Sequence, residues 1–141
     1  MLQEKSILDW KGVETSKKEE TFVGDYDCED NDLTSLKGAP KKVGGNFSCM
    51  YNKLTTLEGL PEEIGGNLDF SNNNVESLKG FKTKVGGLFV CNMNMNPHLE
   101  KEYEIRKANT DASENKIMML MYKETKDEIY LPQKTKDIFL F

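Results

Sequence analysis

Shifting the chain against itself by 21 residues brings "YDCEDNDLTSLKGAPKKVGG" (26–45), "FSCMYNKLTTLEGLPEEIGG" (47–66) and "LDFSNNNVESLKGFKTKVGG" (68–87) into register. "FVCNMNMNPHLE" begins a fourth copy and breaks off. A period of this length constrains the fold more than composition does. One unit holds too few apolar groups to fold alone, so the units must stack and bury a shared core.

Within one unit, Phe47 and Cys49 alternate with Asn46, Ser48 and Met50. That period of two predicts a strand of about five residues with one set of side chains inward. The turn after it is marked by Asn52, repeated as Asn31, Asn73 and Asn94. Stacked Asn side chains can satisfy backbone groups that a buried turn would strand. Three apolar columns complete the coil: Leu33, Leu54 and Val75; Leu36, Leu57 and Leu78; Val43, Ile64 and Val85. The Gly-Gly pairs at Gly44, Gly65 and Gly86 read as tight turns entering strands, because they recur with the repeat and no helix follows to cradle a phosphate.

The pattern Phe-x-Cys-x-x-Asn-x-Leu-Thr-x-Leu resembles the leucine-rich repeat, with Asn at its signature site and Cys or Phe in place of one strand Leu. Pro40 and Pro61, with the glycine pair before each strand, make it similar to short versions found in bacteria and bacteriophage genomes. The resemblance covers Phe22 to Leu99. It departs at the Ile64 to Leu68 step, one residue longer than usual, and at Lys82, which stands where Pro would. It implies an α/β solenoid: a leucine-rich-repeat coil of about four rungs, with a short parallel sheet on its concave side. Residues 1–21 are then expected to form an N-terminal cap, 22–98 the repeats, and 99–141 a C-terminal cap, helical in character, or a small α or α+β element.

Open coil ends need covers. Leu2, Ile7, Leu8, Trp10 and Val13 can supply the first. After Pro97, Leu99, Tyr103 and Arg106 or Lys107 have helical spacing. Asp111 and Glu114 have capping-box spacing ahead of "NKIMMLMYKE". The run from Ile117 to Tyr122 fits either a second helix or a buried strand paired with "EIYL". The closing "KDIFLF" is apolar enough to pack on the cap or dock on a partner.

Several function classes fall away. Among 141 residues the formal charge is −5, which disfavours a nucleic-acid surface. No apolar run reaches the roughly 20 residues of a membrane span. The opening "MLQEKSILDWKGVETSKKEE" lacks a signal-peptide core and is expected to be retained, which makes the cytoplasm the expected site. An EF-hand starting at Asp25 would need Gly and Glu where Asp30 and Leu36 stand. Cys28, Cys49 and Cys91 share one column with Phe70, so they are expected inside as free thiols rather than in a disulfide or zinc site. With His98 the single histidine and no nucleophile elbow or nucleotide fingerprint, no enzyme, metal or cofactor is expected.

What differs from rung to rung is the outward set. Asp27, Ser48, Asp69 and Val90 form one column; Glu29, Met50, Ser71 and Asn92 the next; Asp30, Tyr51, Asn72 and Met93 lie at the strand ends. Repeating scaffold columns cannot carry specificity, whereas these can, and outward Met50, Tyr51, Val90 and Met93 suit an interface. The expected function is therefore recognition of a protein partner with a basic surface, through the concave face. The resemblance to phage repeats extends this to a phage-encoded inhibitor of a host protein such as a defence enzyme. A second reading stays open, in which the C-terminal segment is a small catalytic or toxin-like element addressed by the repeats. The oligomeric state has no signal.

Overall fold

The computed structural model describes residues 5–7 and 21–132. The chain divides into two compact units, Met1–Pro97 and His98–Phe141. The first is a β-solenoid of about three turns. Its strands are β1 (Thr21–Phe22), β2 (Tyr26–Asp27), β3 (Lys42–Val43), β4 (Phe47–Ser48), β5 (Glu63–Ile64), β6 (Leu68–Asp69), β7 (Lys84–Val85) and β8 (Phe89–Val90). Each coil contributes two, so two four-stranded parallel sheets form, β1-β3-β5-β7 and β2-β4-β6-β8. The pairing Tyr26↔Phe47↔Leu68↔Phe89 carries the 21-residue register from the sequence into space.

The expected single sheet with five-residue strands is corrected: there are two sheets, and each strand is two residues long. A left-handed residue ends the alternation early. Asp30, Tyr51, Asn72 and Met93 all have φ between 53° and 59°. Without it, a period of two would turn Tyr51 inward beside Cys49 and Asn52 outward. Instead Tyr51 is exposed and Asn52 buried.

That inversion builds the expected asparagine ladder. Asn52 Oδ1 accepts from the backbone N–H groups of Asn31 and Leu33, and its Nδ2 donates to the carbonyls of Cys28, Cys49 and Met50. Asn73 repeats the pattern with Leu54 N–H and the carbonyls of Cys49 and Phe70. Asn94 does so with Val75 N–H and the carbonyls of Phe70 and Cys91. Each amide bridges its own coil to the one before, leaving the buried turn satisfied.

A second ladder was hidden in residues that look like ordinary solvated alternates. Asp25 Oδ1 accepts from Asn46 N–H at 2.7 Å, Asn46 Oδ1 from Asn67 N–H at 2.8 Å, and Asn67 Oδ1 from Leu88 N–H at 2.8 Å. The glycine pairs bend the chain ahead of the next strand, as expected, but with φ values that are not positive. A Cβ at Gly66 would collide with Asn46 Oδ1, and one at Gly65 with the Gly44 carbonyl. The pairs exist for close approach between coils. Positive φ belongs to Gly24 and to Gly38, Gly59 and Gly80 of the Leu-x-Gly phrase, each of the last three sitting inside a turn such as the one closed by Leu60 N–H to the Leu57 carbonyl.

Inside, Leu33, Leu36, Leu54, Leu57, Val75 and Leu78 are buried, as are Val43 and Ile64. Cys28 and Cys49 are buried and Cys91 half-buried, all as free thiols. Tyr26 stacks on Phe47 with ring centroids 5.4 Å apart. Of the expected N-terminal cap, Ile7 is buried, and Lys5 accepts from Thr34 and Ser35 N–H. Leu2, Leu8, Trp10 and Val13 lie outside the described residues.

The second unit holds α1 (Leu99–Ala108), α2 (Glu114–Thr125) and a 3-10 turn, Glu128–Tyr130. The helix alternative for Ile117 to Tyr122 is therefore the one realised. Its start is capped by Ser113, whose side chain accepts from Lys116 N–H, so the Asp111 capping box is corrected by two residues. Ile117, Met121 and Tyr130 form the small core, with Ile105, Ala112, Met118 and Tyr122 against it. Arg106 clamps the helices: Nε donates to Glu102 Oε2 at 2.9 Å, and both terminal nitrogens donate to Glu114, at 2.8 and 2.9 Å. The tail "KDIFLF" lies outside the described residues. Among those described, no helix is long and apolar enough to cross a membrane.

Candidate recognition face

The outward side of the β2-β4-β6-β8 sheet and the left-handed column beside it carry the variable residues. In the first rung Asp27 and Asp30 are exposed and Glu29 half-buried. Asp27 Oδ1 accepts from Glu29 N–H at 2.9 Å, so part of its polarity is spent on the turn. Burial, then the Asp27 carboxyl beside it, then Asp69 one rung further than its neighbour, raise the Glu29 carboxyl above the ordinary glutamate range. Two carboxyls thus share the first rung, and the third, Asp69, acts on them from two rungs away.

The second rung offers half-buried Ser48 and Met50 and exposed Tyr51. In the third, Asp69 and Asn72 are half-buried, and Asp69 Oδ1 accepts from Ser71 N–H. Ser71 corrects an expectation: it is 3% exposed, and its Oγ accepts from Asn92 N–H at 3.0 Å. Its hydroxyl fills a structural role between coils and is not presented to a partner. In the fourth rung, Val90 is half-buried while Asn92 and Met93 are exposed.

The structure therefore brings Asp27, Glu29, Asp69, Ser48, Met50, Val90 and Asn92 onto one side, with Asp30, Tyr51, Asn72 and Met93 at its edge, and withdraws Ser71. Tyr51 is 55% and Met93 76% exposed. Met95, two residues on and 63% exposed, also belongs to the last coil and was missed. Its signal was available, since it falls outside every inward column of the repeat.

Among the described residues no group of three or more His, Cys, Asp or Glu is placed to hold a metal ion. Cys49 lies beneath the face, but burial, then Cys28 and Asp69, push that thiol well above its ordinary value, away from the nucleophilic thiolate. What the arrangement can do is present a row of differing side chains on a regular sheet.

Comparison with protein-family models, with curated proteins and with solved structures gives no match for this chain.

Proposed function

We propose that the solenoid is a protein-recognition module working through this face. One observation carries the reading. A residue with a Cβ in the left-handed region costs roughly 1–2 kcal/mol, and Asn and Asp escape most of that through their short polar side chains. The four rungs use Asp30 and Asn72 at this position, but also Tyr51 and Met93. Two rungs thus accept backbone strain in order to hold a large, exposed, partly apolar side chain outward. Such anchors dominate binding where interfaces have been dissected.

The acidic rung supports a partner with a basic surface, steered by charge. The resemblance of the repeats to short leucine-rich repeats of bacteria and phages supports the finer form of the proposal: a phage-encoded inhibitor of a host protein, acting in the host cytoplasm.

Capture from bacterial lysate tests it. A Tyr51→Asn, Met93→Asn double variant is expected to lose its captured protein by roughly thirtyfold, the equivalent of one lost anchor of about 2 kcal/mol. It should melt no lower than the parent, because both changes relieve strain. Deletion of Ile138 to Phe141 should leave capture intact. Full capture by the double variant, or loss of capture on the deletion alone, would move the working surface elsewhere.

A further inference from the structure

The face is ordered along the solenoid axis. Its first rung is acidic (Asp27, Glu29), its second carries Met50 and Tyr51, and its fourth carries Val90 and Met93. The third, with Ser71 withdrawn, carries half-buried Asp69 and Asn72. From one end to the other the pattern is acidic, apolar, polar, apolar.

Rungs are about 4.8 Å apart, and an α-helix climbs about 5.4 Å per turn, so a helix laid along the axis drifts by only about 1.8 Å over three steps. An extended strand repeats its side chains on one face every 6.6–6.8 Å or so, and after three steps it is out by about 6 Å, more than a full rung. One turn of helix per rung fits within side-chain reach; a strand does not.

We propose that the occupant of this face is an amphipathic α-helix of the partner protein, lying along the solenoid axis. A Lys or Arg stands in the turn over Asp27 and Glu29, and apolar side chains stand in the turns over Tyr51 and Met93. This rests on the recognition reading and names its partner. The charge is complementary: a cation there relieves the crowding that raises the Glu29 carboxyl. Apolar anchors one and three turns further on cover the Tyr51 and Met93 side chains, the helix-in-groove mode of recognition.

Synthetic peptides of about 18 residues in an Ala/Gln background, long enough to be helical with a staple, provide the test. The matched peptide carries Arg at position i and Leu at i+4 and i+11. One control has the same composition with Arg moved to i+2, on the opposite side of the helix. A second control has a central Pro that breaks the helix. By fluorescence anisotropy on the full chain, the matched peptide is expected to bind at least about tenfold tighter than either control. That advantage should vanish in Tyr51→Asn, Met93→Asn, and should shrink in Asp27→Asn, Glu29→Gln or as salt rises. Equal binding of matched and Pro-broken peptides, or no binding of any, overturns the helix. Neither result touches the recognition reading, which the lysate experiment decides: a helix-negative face whose double variant still loses its captured protein keeps that reading with a partner of another shape.

Discussion

The two units solve one problem, buried polar groups between stacked elements, by opposite means. In the solenoid the solution is neutral and periodic: Asn52, Asn73 and Asn94 each reach from one coil into the one before, through the same atoms. In the helical unit it is charged and unique: Arg106, itself buried, meets a fully buried Glu102 and a half-exposed Glu114. A neutral amide is cheap to desolvate and can be copied at every rung; a buried guanidinium is costly to desolvate and holds only because two carboxylates meet it. Burial alone would lower the Arg106 pKa, and its hydrogen bonds to Glu114 and Glu102 outweigh that, raising it.

The sharpest way to break this contrast is Arg106→Ala, which takes the guanidinium away from the fully buried Glu102. A loss of about 3–5 kcal/mol is expected, seen as faster amide exchange in α1 and α2. Replacing the pair together, Arg106→Met with Glu102→Leu, should recover most of it. If the single change cost nothing, the triad would be ornament rather than clamp.

Asn52→Ala comes next, at about 3 kcal/mol, because the N–H groups of Asn31 and Leu33 lose their acceptor. Asn94→Ala should cost less, since its bonds are partly exposed. Equal midpoints in denaturant for the parent and Asn52→Ala would remove the ladder from the energetics.

Tyr51→Asn reverses the sign. Relief of the left-handed tyrosine is expected to stabilise the solenoid by about 1 kcal/mol, and a lower midpoint would mean that Tyr51 supports the fold rather than straining it.

The smallest effect belongs to Glu29→Gln. A carboxyl whose folded pKa is raised binds more protons folded than unfolded, so its contribution is fully present at low pH and is lost as pH rises through the glutamate range. The variant should therefore match the parent in acid and melt slightly higher at neutral pH. The opposite order at neutral pH would place Glu29 beside a cation.

The same contrast explains what could be read in advance. A column that recurs every 21 residues announces itself, so the Leu33 and Leu36 columns, the Asn52 ladder and outward Tyr51 were all legible. The Asp25, Asn46 and Asn67 ladder keeps the same spacing, but its residue types vary and are those of any wet surface. Only the close approach enforced by Gly66 and its equivalents shows that they bond from coil to coil. Ser71 failed for a related reason: alternation gives a direction for a side chain, but not whether a neighbouring N–H waits for it. In the helical unit, Leu99, Tyr103 and Arg106 revealed α1 through spacing. The bond from Arg106 to Glu114 crosses a turn and obeys no period, so no pattern could disclose it.

Leu88 occupies the place that Asp25, Asn46 and Asn67 fill in the coils before it, and a leucine side chain has no oxygen to offer the next N–H. The stack thus carries its own stop codon in side-chain form. Length upstream of that point is quantised: a whole coil can be added or removed between Gly45 and Leu88 with both ladders kept in step, whereas a single inserted residue throws both out of register at once.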